Sequence, residues 1–212
     1  MPAHSVQADS AVTQGLLHRI GTGDRQAFEQ LFARHQAYLH RLVELRLDPR
    51  LRPRVDPADV VQEAYLDALN RLKAYLERPV LPFRLWLRQI ACDRVLKARR
   101  HHLGTARRAI GREVPLPEQS SLLLARHLLA GDLTPSRRLD QRELARRTRQ
   151  AVAQLADADK EIVIMRHFEG LSNREVAHVL SIDAATASKR HGRAMLRLHR
   201  ILFEGGLTES QL

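Results

Sequence analysis

The chain has 212 residues, a single cysteine and a formal net charge of +11. One cysteine excludes an internal disulfide and a cysteine-built zinc site, and no apolar run approaches the roughly 20 residues of a membrane span. So large a positive excess attracts polyanions: nucleic acid first, with an anionic membrane surface as the competitor. Aromatic residues make up 4% of the chain, so a core must be built from Leu, Ile, Val and Ala, which favours packed helices over a sheet sandwich.

Residues 1–13 are small and polar, with no signal-peptide pattern, and read as a disordered tail of a soluble, cytoplasmic protein. Leu16, Leu17 and Ile20 begin a helical pattern that turns at Gly21-Thr22-Gly23-Asp24 and resumes through Phe28, Leu31, Phe32, Leu39 and Leu42. Asp56 and Pro57 are a cap and a first-turn proline, and Asp59 suits the positive end of the helix they open. Val60, Val61, Ala64, Tyr65, Ala68, Leu69, Leu72 and Leu76 make the expected core face of this helix. Its other face carries Asp59, Gln62, Glu63, Leu66 and Asn70. Leu66 there reads either as a partner-binding residue or as an ordinary exposed leucine.

Pro79 and Pro82 break the pattern, and a helix from about Phe83 to Arg100 follows. Phe83, Trp86, Leu87, Ile90 and Ala91 are expected to face inward, while Arg84, Arg88, Lys97, Arg99 and Arg100 are placed to meet phosphates. Residues 103–137 read as a linker, with Ser121–Leu129 as a short helix within it and a Leu122-Leu123-Leu124 run of no assigned role. Thr134-Pro135 starts a helix to about Leu155, and Lys160–Phe168 forms another, closed by Glu169-Gly170.

Ser172-Asn173-Arg174-Glu175 is a capping box opening a short helix to Leu180. A turn at Ser181-Ile182-Asp183 precedes a long helix from Ala184 to about Phe203. Short helix, tight turn and long basic helix make a helix-turn-helix signature. At about 100° per residue, Ala187, Ala194, Leu198, Ile201 and Leu202 share the packing side. Lys189, Arg193 and Arg200 lie opposite, with Thr186 and Arg197 beside them and Ser188 and Arg190 flanking. Such a face donates to base edges in the major groove, or is merely a solvated basic face; the capping box and turn favour the former. Gly192 within it reflects close approach to another backbone or simple tolerance.

Several motifs in this order resemble the extracytoplasmic-function (ECF) sigma factors. They are Gly23–Phe32, Asp59–Tyr65, Phe83–Ala91, Gly170–Ala177, Ala185–Arg190 and Arg193-Ala194, spread over about residues 14–102 and 138–203. The resemblance implies an all-α fold of two small helical domains: region 2 over 14–102, the linker 103–137, and a region 4 helix-turn-helix over 138–203, with 204–212 as a tail. It implies that the helix of Asp59, Gln62, Glu63 and Leu66 docks on the beta-prime clamp helices of RNA polymerase core. The helix of Arg88, Asp93, Lys97, Arg99 and Arg100 would melt and capture the minus-ten element. Ser188, Lys189, Arg190 and Arg193, with Thr186 and Arg197 beside them, would read the minus-thirty-five element.

Relatives of this kind are often restrained by an anti-sigma partner. Asp93 stands where many relatives carry Asn, and a carboxylate accepts but does not donate; Gly192 stands where they often carry a larger residue. The alternative is a conventional helix-turn-helix regulator that binds operator DNA alone. No enzyme, cofactor or metal is expected: there is no Gly-rich phosphate loop or nucleophile motif. The eleven histidines are scattered apart from His101-His102, and Glu63 and Asp67, one turn apart, read as a polar face.

Overall fold

Several helices begin at side-chain caps that the sequence supplies. The computed structural model describes residues 10–103, 116–128 and 141–204, and among these the regular elements are all helical. The chain divides into two compact units, residues 1–108 and 109–212.

In the first unit, Ser10 accepts from the Thr13 amide at 3.3 Å and opens α1, Ala11–Gly21. The helix thus starts inside the stretch expected as a disordered tail, because Ser10 is a good cap and Thr13 and Leu16 find buried positions. Gly23 turns the chain at φ +98°, a conformation that favours glycine. Asp24 then accepts from the Ala27 amide at 3.2 Å to open α2, Arg25–Arg46. A 3₁₀ turn at Pro49–Leu51 leads to α3, Pro57–Glu77, capped by Asp56 through the Ala58 amide at 2.8 Å. Helix α4 is Phe83–Leu103.

Helix α2 packs on α1, α3 and α4, and α3 also packs on α4. Phe28, Leu31, Leu39, Leu42, Phe83, Leu87 and Ile90 are at most 2% exposed at their centre, and burying such side chains stabilises by about 1.5–3 kcal/mol each. Trp86 lies half-buried at the edge, stacked on Tyr75 at 4.4 Å between ring centroids.

Two expectations are corrected here. Leu69 is 45% exposed rather than core: it stands on the same outward arc of α3 as Gln62, Leu66 and Lys73. Arg88 is 7% exposed rather than turned to phosphates. Helix α4 packs on both α2 and α3, so its buried arc is wide. Arg88 falls within it, between Leu85 and Val95 on the helix circumference.

In the second unit, α5, Glu118–Leu128, lies inside the stretch read as linker and packs on α6, Gln141–Gln154. Leu124 is the member of the leucine run that is buried, while Leu123 is exposed. The expected start of α6 at Thr134-Pro135 lies outside the described residues. Helix α7, Asp157–Val163, continues into a π turn, Ile164–Phe168, before α8, Asn173–Val179, and α9, Ala184–Glu204. Helix α9 packs on α6, α7 and α8 and closes the unit.

Candidate nucleic-acid interface

The helix-turn-helix is held by short polar contacts that the sequence largely announces. The Glu175 amide donates to Ser172 Oγ at 3.2 Å and the Ser172 amide donates to Glu175 Oε2 at 2.7 Å, completing the capping box. Asn173 Nδ2 donates to the Ala184 carbonyl at 2.7 Å, tying the start of α8 to the start of α9. Ser181 takes φ +53° in the turn between them. Asp183 caps α9, accepting from the Thr186 amide at 2.7 Å and from the Thr186 hydroxyl at 2.6 Å. These two bonds hold the Asp183 carboxyl below the usual carboxylate range, the hydroxyl contributing most.

Ala187, Ala194, Leu198 and Leu202 seat α9 on its unit, none more than 3% exposed. The opposite face is open: Ser188, Lys189, Arg190, Arg193 and Arg200 are all exposed. Thr186 is half-buried, its hydroxyl engaged by the cap, and Arg197 is engaged by Asp159 on α7 in an ion pair that ties α9 down. The structure thus brings Ser188, Lys189, Arg190 and Arg193 together on one solvent face and gives Thr186 and Arg197 contacts within the unit. Leu196, 72% exposed beside Arg193 and Arg200, is an apolar neighbour the charge pattern concealed.

A Cβ at Gly192 would meet nothing within 4 Å, so no backbone of this chain requires glycine there. Gly192→Ala is expected to stabilise the second unit by about 1 kcal/mol through helix propensity, read as a raised thermal midpoint.

Helix α4 presents Asp93, Lys97 and Arg100 on an exposed strip that includes Leu96, 50% exposed. Arg99 is half-buried beside it. On α3, Asp59, Gln62, Glu63 and Leu66 share an exposed face, and Leu69 joins them. Glu63 and Asp67, the one-turn acidic pair, both accept from Arg94 on α4, Glu63 at 3.1 Å. Asp67 and Arg94 each favour the other's charged form: the Asp67 carboxyl is lowered and the Arg94 guanidinium raised, chiefly by their mutual hydrogen bonds. Among the described residues no group of three or more His, Cys, Asp or Glu is arranged to hold a metal ion.

The histidines that look scattered in sequence do meet in the second unit. His167 of the π turn and His191 of α9 bring their Nε2 atoms to 2.9 Å, and the His127 ring lies 5.6 Å from that of His167. Burial, then His191, His127 and Arg166, push the His167 pKa down to about 4. In the first unit, burial followed by Arg84 and Arg34 does the same for His35, also to about 4. The unfolded chain binds these protons near pH 6.5 and the folded chain does not, so stability is intact above about pH 6.5 and falls as pH drops towards 4. Thermal midpoints between pH 7 and 4.5 should decline, and H35Q/H167Q should flatten that decline.

Among the described residues no helix is long and apolar enough to cross a membrane. Residues 145–198 match the family model "Sigma-70, region 4", which takes in the turn and the open face of α9. Over nearly the whole chain the protein is similar to known sigma factors. It is 30% identical over 185 residues to the ECF RNA polymerase sigma factor SigM of Mycobacterium tuberculosis, covering 85% of this chain and 79% of the relative. It is 27% identical over 187 residues to the ECF RNA polymerase sigma-E factor of Haemophilus influenzae, covering 88% and 93%. Among solved structures, that of CnrH in complex with the cytosolic domain of CnrY superposes with a TM-score of 0.56 at 25% identity, covering 91% of this chain and 98% of that one. With region 4 matched over residues 145–198, helices throughout the described residues and a 30% identical relative covered over 79% of its length, this chain belongs to the ECF RNA polymerase sigma factors.

Proposed function

We propose that this protein binds RNA polymerase core and promoter DNA to direct transcription initiation, with no catalytic activity of its own, and that it works in the cytoplasm where the polymerase acts. The observation that carries the reading is the open face of α9. Lys189, Arg190 and Arg193 stand exposed on a helix whose opposite side is seated by four buried apolar residues. Side chains so held reach base edges, while the flanking cations neutralise phosphate.

In this reading Ser188, Lys189, Arg190 and Arg193 take the minus-thirty-five element and Asp93, Lys97, Arg99 and Arg100 the minus-ten element. The exposed face of α3 docks on the beta-prime clamp helices, with Leu66 and Leu69 as its apolar centre and Asp59, Gln62 and Glu63 around them. CnrH is seen with the cytosolic domain of CnrY, and restraint of the present chain by an anti-sigma partner is the matching expectation.

The test is transcription in vitro with purified core polymerase on a genomic fragment library. Discrete start sites that require the protein support the reading; DNA bound tightly by the protein alone, with no core-dependent initiation, would replace it with a conventional regulator. Because Glu63 also braces Arg94, the cleaner probe of the docking face is Asp59→Arg with Leu66→Ala. This pair should lower core capture about tenfold or more, as loss of a central apolar anchor does, with an unchanged melting curve. Normal core capture would remove α3 from the interface.

A further inference from the structure

The α2–α3 connection carries four arginines against two aspartates between residues 46 and 56: Arg46, Arg50, Arg52 and Arg54 against Asp48 and Asp56. None of these arginines belongs to the surfaces assigned above. The connection is anchored from beneath. Leu47, Leu51 and Val55, spaced four apart, are at most 9% exposed and sit in the same core cluster as Val95 of α4. Pro49 and Pro53 hold their own φ angles near −65°, and the Arg54 and Val55 amides both donate to the Leu51 carbonyl at 2.8 Å. With Leu51 and Val55 pulled inward, Arg50, Arg52 and Arg54 are left on the outside.

Two of the three side chains are also braced. Asp48 accepts from Arg50 Nε at 3.0 Å and from its Nη2 at 2.7 Å, leaving the Arg50 side chain 49% exposed. Arg52 Nη2 donates to the Glu44 carbonyl at 3.1 Å. The Arg50 bonds hold the Asp48 carboxyl down to about 2. Through Leu47, Leu51 and Val55 the connection shares the core cluster that also seats Val95 of α4, the helix that carries the basic strip. An ordinary solvated charge run leaves its long side chains unconstrained; this one holds two of its three guanidinium groups in place before any partner arrives, which lowers the ordering cost of binding.

Residues 46–56 contain no aromatic side chain on which a base could stack. The chemistry that fits is repeated singly charged oxygen acceptors, as along a nucleic-acid backbone, matched by the forked donors of arginine. We propose that Arg50, Arg52 and Arg54 form a phosphate-backbone contact for duplex promoter DNA adjoining the segment held by α4. They add affinity and register without reading sequence. The inference rests on the DNA-binding reading of α4 given above.

The experiment uses the full chain assembled with core polymerase and measures promoter affinity between 50 and 200 mM salt for the wild type, for R50Q/R52Q/R54Q and for R50K/R52K/R54K. Removing one arginine–phosphate pairing should flatten the plot of log affinity against log salt by about 0.9. The glutamine variant is expected to lose about 2 in slope, since the Arg50 charge is already matched by Asp48, with its start sites unchanged, and the lysine variant to keep most of it. R54Q, which leaves the bracing of Arg50 and Arg52 intact, should lose about 1 and keeps the test valid if the triple variant folds poorly. An unchanged slope overturns the proposal. So does lowered core capture at an unchanged slope, which would assign the arginines to an acidic surface of the polymerase. If the wild type initiates nowhere with core, it is the reading of the whole protein that fails.

Discussion

Replacing Arg193 with alanine is expected to weaken recognition of the upstream promoter element by about 1–3 kcal/mol, roughly 5- to 150-fold in affinity, and to relax preference at one base position. Arg193 is exposed on α9, and its Nε reaches the Lys189 carbonyl only at a long 3.4 Å. Its guanidinium is available to a guanine edge. Lys189→Ala should behave similarly, with a smaller change in specificity because an ammonium lacks the two-pronged geometry. Arg197→Ala makes the contrast. Arg197 projects from the same helix but is bound to Asp159, so its loss should lower the melting temperature and leave base preference alone. Run-off transcription on promoter variants, beside thermal melts of each protein, separates the two effects. Unchanged promoter choice in R193A would remove that residue from base readout.

Arg94→Ala should destabilise the first unit by about 2–3 kcal/mol. The side chains of Arg94 and Asp67 are 18% and 17% exposed, so removing the arginine leaves a mostly enclosed carboxylate without its forked partner. Breaking a fully buried pair costs about 3–5 kcal/mol, and residual solvent access reduces that here. Arg94→Lys should recover only part of the loss, since one ammonium does not serve both Asp67 oxygens and Glu63 together. Urea unfolding of the variants checks the magnitude. A cost below about 0.5 kcal/mol would class the contact with ordinary surface pairs. The acid limb gives a second reading. Asp67 is held low when folded, so its contribution is present at neutral pH and is lost as pH falls below the ordinary carboxylate value and through the folded one. R94A should therefore show a shallower acid decline than the wild type.

What could be read from the chain alone were the features that act within one helix. Asp56 with Pro57, and Ser172 with Glu175, announce helix starts because a cap satisfies amides no more than three residues away. Ala187, Ala194, Leu198 and Leu202 announce the seat of α9 because helical periodicity is itself local. The same periodicity separates Lys189 and Arg193 from that seat. The all-helical class and the open basic face were legible for this reason.

Tertiary structure decided which residues a neighbouring helix covers or meets. Arg88 and Leu69 occupy positions whose exposure depends on how many partners α4 and α3 have, and one helix's pattern does not carry that number. Arg94 finds Asp67 across 27 residues, Arg197 finds Asp159 across 38, and His167 finds His191 across 24. Helix α5 joins the second unit because its buried Leu124 and Ala125 find cover on α6. A cap or an apolar stripe is a property of neighbouring residues, readable from their spacing. An ion pair, a bond between two imidazoles or a covered arginine is a property of two helices at a particular crossing, and only the packed core sets that crossing.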